Sequence, residues 1–312
     1  MFTHASRRRF LASTGSLLVS SAFVSCTPPR SRVVREVRDV IAGVAHKDGA
    51  GVALTKMLGH RALPMLDPFL MLDEFHSNDP QDFIAGFPTH PHRGFETVTI
   101  MFDGHVLHED SVGNKGDISG GGVQWMTAGK GILHSEMPRA SSSTGELWGY
   151  QLWVNLPARE KMVRPRYQDL SGAAFETVSV DDARVRVLAG RVGTTVGAID
   201  GVATKPTLLD VTLEKGARLR HDIPGTHTAF LHVATGAVRV GERRREVAAG
   251  HIVVLDRGDA LVVEGAEASR LLVFAGTPLG EPVARRGPFV MNTDEEIQQA
   301  FDDYRSGRLT EG

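Results

Sequence analysis

Cysteine is almost absent from this 312-residue chain, with Cys26 the only one. A single thiol excludes an intramolecular disulfide and leaves no Cys in the body of the chain for thiol chemistry. Lysine and arginine form no continuous basic stripe, and the formal net charge is −2, which argues against nucleic-acid binding by charge. There is no Walker A loop and no G-x-S-x-G elbow, which removes the common phosphate-cradling and serine-hydrolase chemistries. What is present is ordinary for a soluble globular protein: 41% apolar and 23% charged residues leave neither disorder nor a membrane bundle as a sensible class. The 34 glycines and 15 prolines, spread along the whole length, fit many short strands and tight turns. At this length the chain exceeds the usual single core and suggests two domains.

The N-terminus reads as an address. Ser6-Arg7-Arg8-Arg9-Phe10-Leu11 matches a twin-arginine export signal, and the apolar run 11–24 after it is too short and too rich in serine to remain as a membrane span. Phe23-Val24-Ser25-Cys26 resembles a lipoprotein cleavage box, with Phe in the place of the usual Leu, and Thr27-Pro28-Pro29-Arg30 reads as a tether. The expectation is an exported protein, periplasmic and anchored by lipid at Cys26 if that box is used.

Strand patterns dominate the rest. Stretches 95–102, 105–108, 123–127, 132–137 and 148–156 are short, β-branched or aromatic, and separated by turn residues such as Asp103-Gly104. A second set runs from 185 to 274 at the spacing of an all-β sandwich or barrel. One helix is expected. Thr293 caps it, Glu296 completes a capping box, Ile297, Ala300, Phe301 and Tyr304 make its apolar stripe, and Gly307 ends it.

The chemistry concentrates in His90-Pro91-His92-Arg93-Gly94-Phe95-Glu96 and His134-Ser135-Glu136. Alternate side chains of a strand share a face, so His90 pairs with His92, and His134 with Glu136. Two such pairs brought together supply three imidazoles and a carboxylate, a nitrogen and oxygen donor set for a mid-to-late first-row metal. Parity alone does not choose between Glu136 and Glu96 as the carboxylate. The stretch His108-Glu109-Asp110-Ser111 either lines the mouth of such a site or forms a solvated strand end. His60, His76 and His105 read as surface residues. His221, His227, His232 and His251 lie in the second half, where neither H-x-H nor a partner H-x-E recurs.

The runs Asp67-Pro68-Phe69-Leu70-Met71-Leu72-Asp73-Glu74-Phe75, 90–99, 124–129, 131–138, 151–157 and 287–293 resemble the pirin family of bicupins. The resemblance covers nearly all of residues 33–308. It implies an all-β fold of two jelly-roll barrels with a short C-terminal helix. The expected parts are a signal at 1–26, a metal-binding barrel at 27–175, and a second barrel without metal at 176–312, ending in the helix. The resemblance also implies one metal per chain, usually iron as Fe(2+), on His90, His92, His134 and Glu136. Glu96 then becomes a neighbour that orients an imidazole or Arg93.

Some pirins resemble quercetinases, which open a flavonol heterocycle with O2 and release carbon monoxide. In that chemistry a carboxylate beside the metal deprotonates the 3-hydroxyl, and Glu136 is the candidate catalytic base. The implied partners are a small aromatic substrate and O2, with no nucleic acid, on a monomeric protein. The alternative is a non-catalytic metal-binding module that regulates a protein partner. Export argues against a DNA-associated version of that role.

Overall fold

The computed structural model describes residues 1–2 and 32–311. The segment expected to act as an export signal, with Cys26, lies outside the described residues. From Arg32 onward the chain forms two β-barrels of jelly-roll type, and every pairing between named strands is antiparallel. The first barrel combines two sheets. The larger is seven-stranded and centred on Phe95–Asp103 and Leu147–Asn155; the smaller contains Phe87–His92, Ile132–Arg139, His105–Asp110 and Lys115–Ser119. The second barrel repeats the plan, with a seven-stranded sheet centred on Ser269–Gly276 and a four-stranded one containing Ala260–Gly265.

The two seven-stranded sheets pack face to face, and period-two alternation explains how. In Phe95–Asp103, Val98 and Ile100 point into the core between the barrels, while Met101 points into the first barrel. In Thr228–Thr235, Phe230 joins that shared core, and Leu231 and Val233 fill the second barrel. The core between barrels is sealed by aromatics, including Phe230 stacked on Phe274 at 4.6 Å.

The chain ends cross over. Val37–Ala42 pairs with His251–Leu255, so the first strand of the described chain belongs to the second barrel's sheet rather than to the 27–175 domain drawn from the sequence. At the other end, the strands Ala284–Arg286 and Phe289–Met291 and the helix Asp294–Arg305 pack on the first barrel, against Leu70, Phe95, Leu133 and Trp153. Strand and helix periodicity identifies an element but not its partner, which is why a single boundary near 175 missed both crossings. The helix carries the expected capping box between Thr293 and Glu296, and Gly307 takes φ +77° just beyond it.

Candidate metal centre

Ile132–Arg139 lies between Phe87–His92 and His105–Asp110, which places His134 opposite His90 on one side and Asp110 on the other. A register irregularity between His134 and Glu136 leaves Glu136 opposite Phe87 on one side and His108 on the other. Ligand atoms of His90, His92 and His134 all lie within 4.8 Å of one another. A second group, equally close and fully buried, consists of His108, His134 and Glu136.

The bonds made by the outer ring nitrogens assign the tautomers. His90 Nδ1 donates to the Pro88 carbonyl at 2.9 Å, and His92 Nδ1 to the Pro288 carbonyl at 3.3 Å. A carbonyl only accepts, so both rings carry their proton on Nδ1 and present a lone pair at Nε2. Those two Nε2 atoms face each other at 3.1 Å. On the far side, His108 Nε2 donates to Asp110 Oδ2 at 3.3 Å. This leaves His108 Nδ1 as the acceptor for the Gln124 amide at 3.2 Å and for His134 Nδ1 at 3.5 Å. His134 Nε2, buried, then has no partner. Three lone pairs converge on one space with no proton among them, an arrangement that is repulsive alone and favourable around a cation. The donor set fits a divalent first-row metal.

Electrostatics agree. Burial holds His92 and His134 well below the ordinary imidazole range, and the neighbouring imidazoles push in the same direction. Both rings are therefore neutral near pH 7, the state in which imidazole binds a metal. Glu136 is buried too; Thr99 donates to its Oε1 at 3.2 Å and Gln151 to its Oε2 at 2.8 Å. The acceptor oxygen of Gln151 receives the Trp153 indole N–H at 3.2 Å, so the carboxylate is tied to the wall of a cavity.

That cavity, of about 620 Å³, has His90, His92 and Gln151 at its base and Phe75, Phe87 and Trp153 on its walls. Its charged residues include Lys56, paired with buried Asp73 at 2.9 Å, and Arg285, whose guanidinium lies over the Trp153 ring at 4.7 Å. A recess of this size, lined by aromatic and by charged side chains together, is suited to a small ligand.

Residues 51–154 match the Pirin family model and residues 208–310 the Pirin C-terminal cupin domain model. A pirin-like protein of Caulobacter vibrioides is 47% identical over 283 residues, covering 88% of this chain and 99% of the relative. A Pseudomonas aeruginosa protein bearing the name of a proposed quercetin 2,3-dioxygenase is 43% identical over 281 residues, 88% of this chain and 98% of its own. The crystal structure of a quercetin 2,3-dioxygenase from Acinetobacter baumannii superimposes with a TM-score of 0.81 at 34% identity, covering 88% of this chain and 98% of that one. This chain belongs to the pirin family.

Within this pirin, the other residues singled out from sequence fall in different places. Glu96 shares the face of Val98 and Ile100, turned away from the imidazoles, and accepts from Thr127 at 2.7 Å. Its expected role of orienting an imidazole or Arg93 therefore gives way: the Arg93 guanidinium pairs with Asp303 instead. His108 is no solvated strand end but is buried, stacked on Tyr167 at 4.8 Å. His76 is exposed and stacks on Trp148, while His60 and His105 are half-buried. His232 is fully buried between the barrels beside Tyr150, and His221 is buried within the second half.

Proposed function

We propose that this pirin is a mononuclear iron dioxygenase of quercetinase type, opening a flavonol-like aromatic with O2, with one Fe(2+) held by His90, His92, His134 and Glu136. The observation that carries this reading is the convergence of three unprotonated imidazole nitrogens, two of them on residues that line a cavity with aromatic walls and the third buried behind them. Likeness to proteins named quercetin 2,3-dioxygenase supports the same reaction class. Iron, when bound, supplies Lewis acidity and the electrons that dioxygen chemistry requires.

The chain's own residues do the rest. Three neutral imidazoles and one carboxylate would leave a divalent ion one net positive charge, which favours an anionic substrate oxygen. In this reading Glu136, which accepts from Thr99 and Gln151, takes the proton from an enolisable hydroxyl as that oxygen becomes anionic. Phe75, Phe87 and Trp153 give the aromatic rings an apolar surface and exclude water from around the base. We further place the protein outside the cytoplasm as a monomer, delivered by the twin-arginine segment and, where Cys26 is lipidated, anchored to a membrane.

The test is oxygen uptake and carbon monoxide release by iron-loaded protein with quercetin, run beside Glu136→Gln. Turnover in the native protein and its collapse in the variant are expected. Stoichiometric iron with no oxygen uptake would favour the regulatory-module alternative. Mass spectrometry of the mature N-terminus tests the export reading separately: cleavage before a lipidated Cys26 is the anchored form, and cleavage elsewhere a plain periplasmic one.

A further inference from the structure

His92 differs from the other imidazoles of the cluster in what orients it. His90 is fixed by a carbonyl of its own strand and His134 by His108 of the same barrel, but the partner of His92 Nδ1 is Pro288, near the far end of the chain. Pro288 sits in the turn between Ala284–Arg286 and Phe289–Met291, a segment that reaches the first barrel after the last strand of the second. Something must hold that segment still for its carbonyl to define a ring.

Lys161 meets the requirement. Its side chain is 1% exposed, and its three ammonium donors go to the Gly94 carbonyl at 2.8 Å, Asn155 Oδ1 at 2.7 Å and the Val290 carbonyl at 3.0 Å. No carboxylate is in ion-pair contact with it among the described residues; its three direct partners are neutral oxygens, with Glu281 and Glu296 acting only at longer range, a costly setting for a buried charge. Two of those oxygens lie at informative places: Gly94 is two residues after His92, and Val290 two after Pro288. The two backbones run side by side there, with Val290 N donating to the Arg93 carbonyl at 3.0 Å. Gly94, at φ +87°, permits the approach, because a Cβ would collide with the Val290 carbonyl. Arg93 adds a second tie. Its guanidinium donates to the carbonyls of Lys130 and Leu309 and pairs with Asp303 of the helix at 2.8 Å.

We propose that Lys161 is a positioning residue for the metal centre: it locks the C-terminal segment to the turn after His92 and so, through the Pro288 carbonyl, keeps Nε2 of His92 as the nitrogen that faces the cluster, with the Arg93–Asp303 pair as a second tie. The proposal rests on the reading of His90, His92 and His134 as ligands. It makes metal affinity a property of the whole chain, because the locking segment arrives only after the second barrel is complete.

The experiment uses full-length Lys161→Met and Asp303→Asn. Iron(II) affinity is measured by anaerobic chelator competition, and the His92 ring nitrogens are followed by 15N NMR in metal-free protein. Lys161→Met should weaken iron binding on the order of 10–100-fold, the usual range for a group that orients a ligand from behind. The His92 nitrogen signals should move from a pure Nδ1–H pattern towards mixed tautomers, and Asp303→Asn should shift both readouts the same way by less. A folded Lys161→Met protein with native iron affinity and an unchanged His92 pattern would overturn the proposal. Where Lys161→Met does not fold, Asp303→Asn decides by the same two readouts. His134→Ala separates the underlying reading: iron retained in that variant sinks the ligand assignment, while the His92 tautomer, read without metal, still judges the latch.

Discussion

Two barrels of the same plan sit in one chain, and their interiors have been filled differently: the first joins an apolar cluster around Phe75, Met101 and Ile118 to a polar one. The second is packed with aliphatics: Val185, Val187, Leu209, Val211, Leu231, Val253 and Leu261 are all buried in one cluster. At its equivalent depth the first carries His134, Glu136, His108, Thr99 and Gln124, all buried and nearly all hydrogen-bonded to one another. A packed aliphatic barrel supplies burial energy and a rigid seven-stranded face; a polar one forgoes part of that burial to keep donors aimed at a point. The shared core couples them, since Val98, Ile100 and Trp125 of the first barrel pack on Phe230, Ile252 and Phe274 of the second. One barrel acts as the platform for the other's site.

The sharpest way to break this division of labour is to remove a donor from the polar interior. His134→Ala deletes the imidazole shared by both close groups of potential ligands. Iron content per chain, measured by elemental analysis, should fall from one to essentially none. His227→Ala, whose ring bonds Thr277 in the second half, should leave iron content unchanged. Equal loss in both variants would mean that the barrels do not divide the work this way.

A smaller effect should separate stability from chemistry. Leu231 is fully buried in the second barrel, and Leu231→Ala should cost about 2–5 kcal/mol of unfolding free energy, the range for such truncations. Thr99→Val in the first barrel keeps the shape and removes one donor to Glu136. It should change stability by no more than about 1–2 kcal/mol while lowering turnover. Denaturant melts and oxygen uptake on both variants check the pair. The contrast fails if Leu231→Ala leaves stability intact or if Thr99→Val leaves turnover intact.

That His90, His92 and His134 come together was legible, because alternate residues of a strand share a face, whereas Glu136, the expected fourth donor, groups with His108 and His134 instead. The fold class was legible for a similar reason, from short strands at even spacing, and the helix from its capping box. His108 was not. Its neighbours Glu109 and Asp110 look like a solvated end, and its burial depends on Tyr167 stacking from a strand nearly sixty residues later. A signal was present all the same, since His108-x-Asp110 repeats the spacing of His134-x-Glu136. The role of Glu96 was misread because parity was applied to the histidines but not carried past Gly94, whose positive φ turns the chain between His92 and the next strand. The cavity wall from Arg285 to Pro288 and the crossed chain ends were hidden because periodicity does not name partners.

The smallest expected effect sharpens the comparison by locating its edge. Burial raises the Glu96 carboxyl to about 7, with the Thr127 hydroxyl only partly offsetting it. Its ordinary value in an unfolded chain is near 4.5, so the folded state holds a proton that the unfolded state has lost between those two values. Stability from this group is therefore complete below about pH 4.5 and declines as pH rises towards 7. His92 and His134 act in the opposite sense. Their folded values lie well below 6.5, so in metal-free protein the unfolded chain takes up protons first, and stability falls as pH drops below about 6.5. Glu96→Gln imitates the protonated acid and removes only the first contribution. Melts of metal-free variant and native protein should coincide near pH 4.5 and separate by about 1–3 kcal/mol in favour of the variant by pH 7–8, a gap bounded by the size of the shift. Because Glu96 faces the core between the barrels, the variant should keep its iron. Loss of iron from Glu96→Gln would show instead that this carboxylate reaches the imidazoles, and would move the boundary of the polar interior to include it.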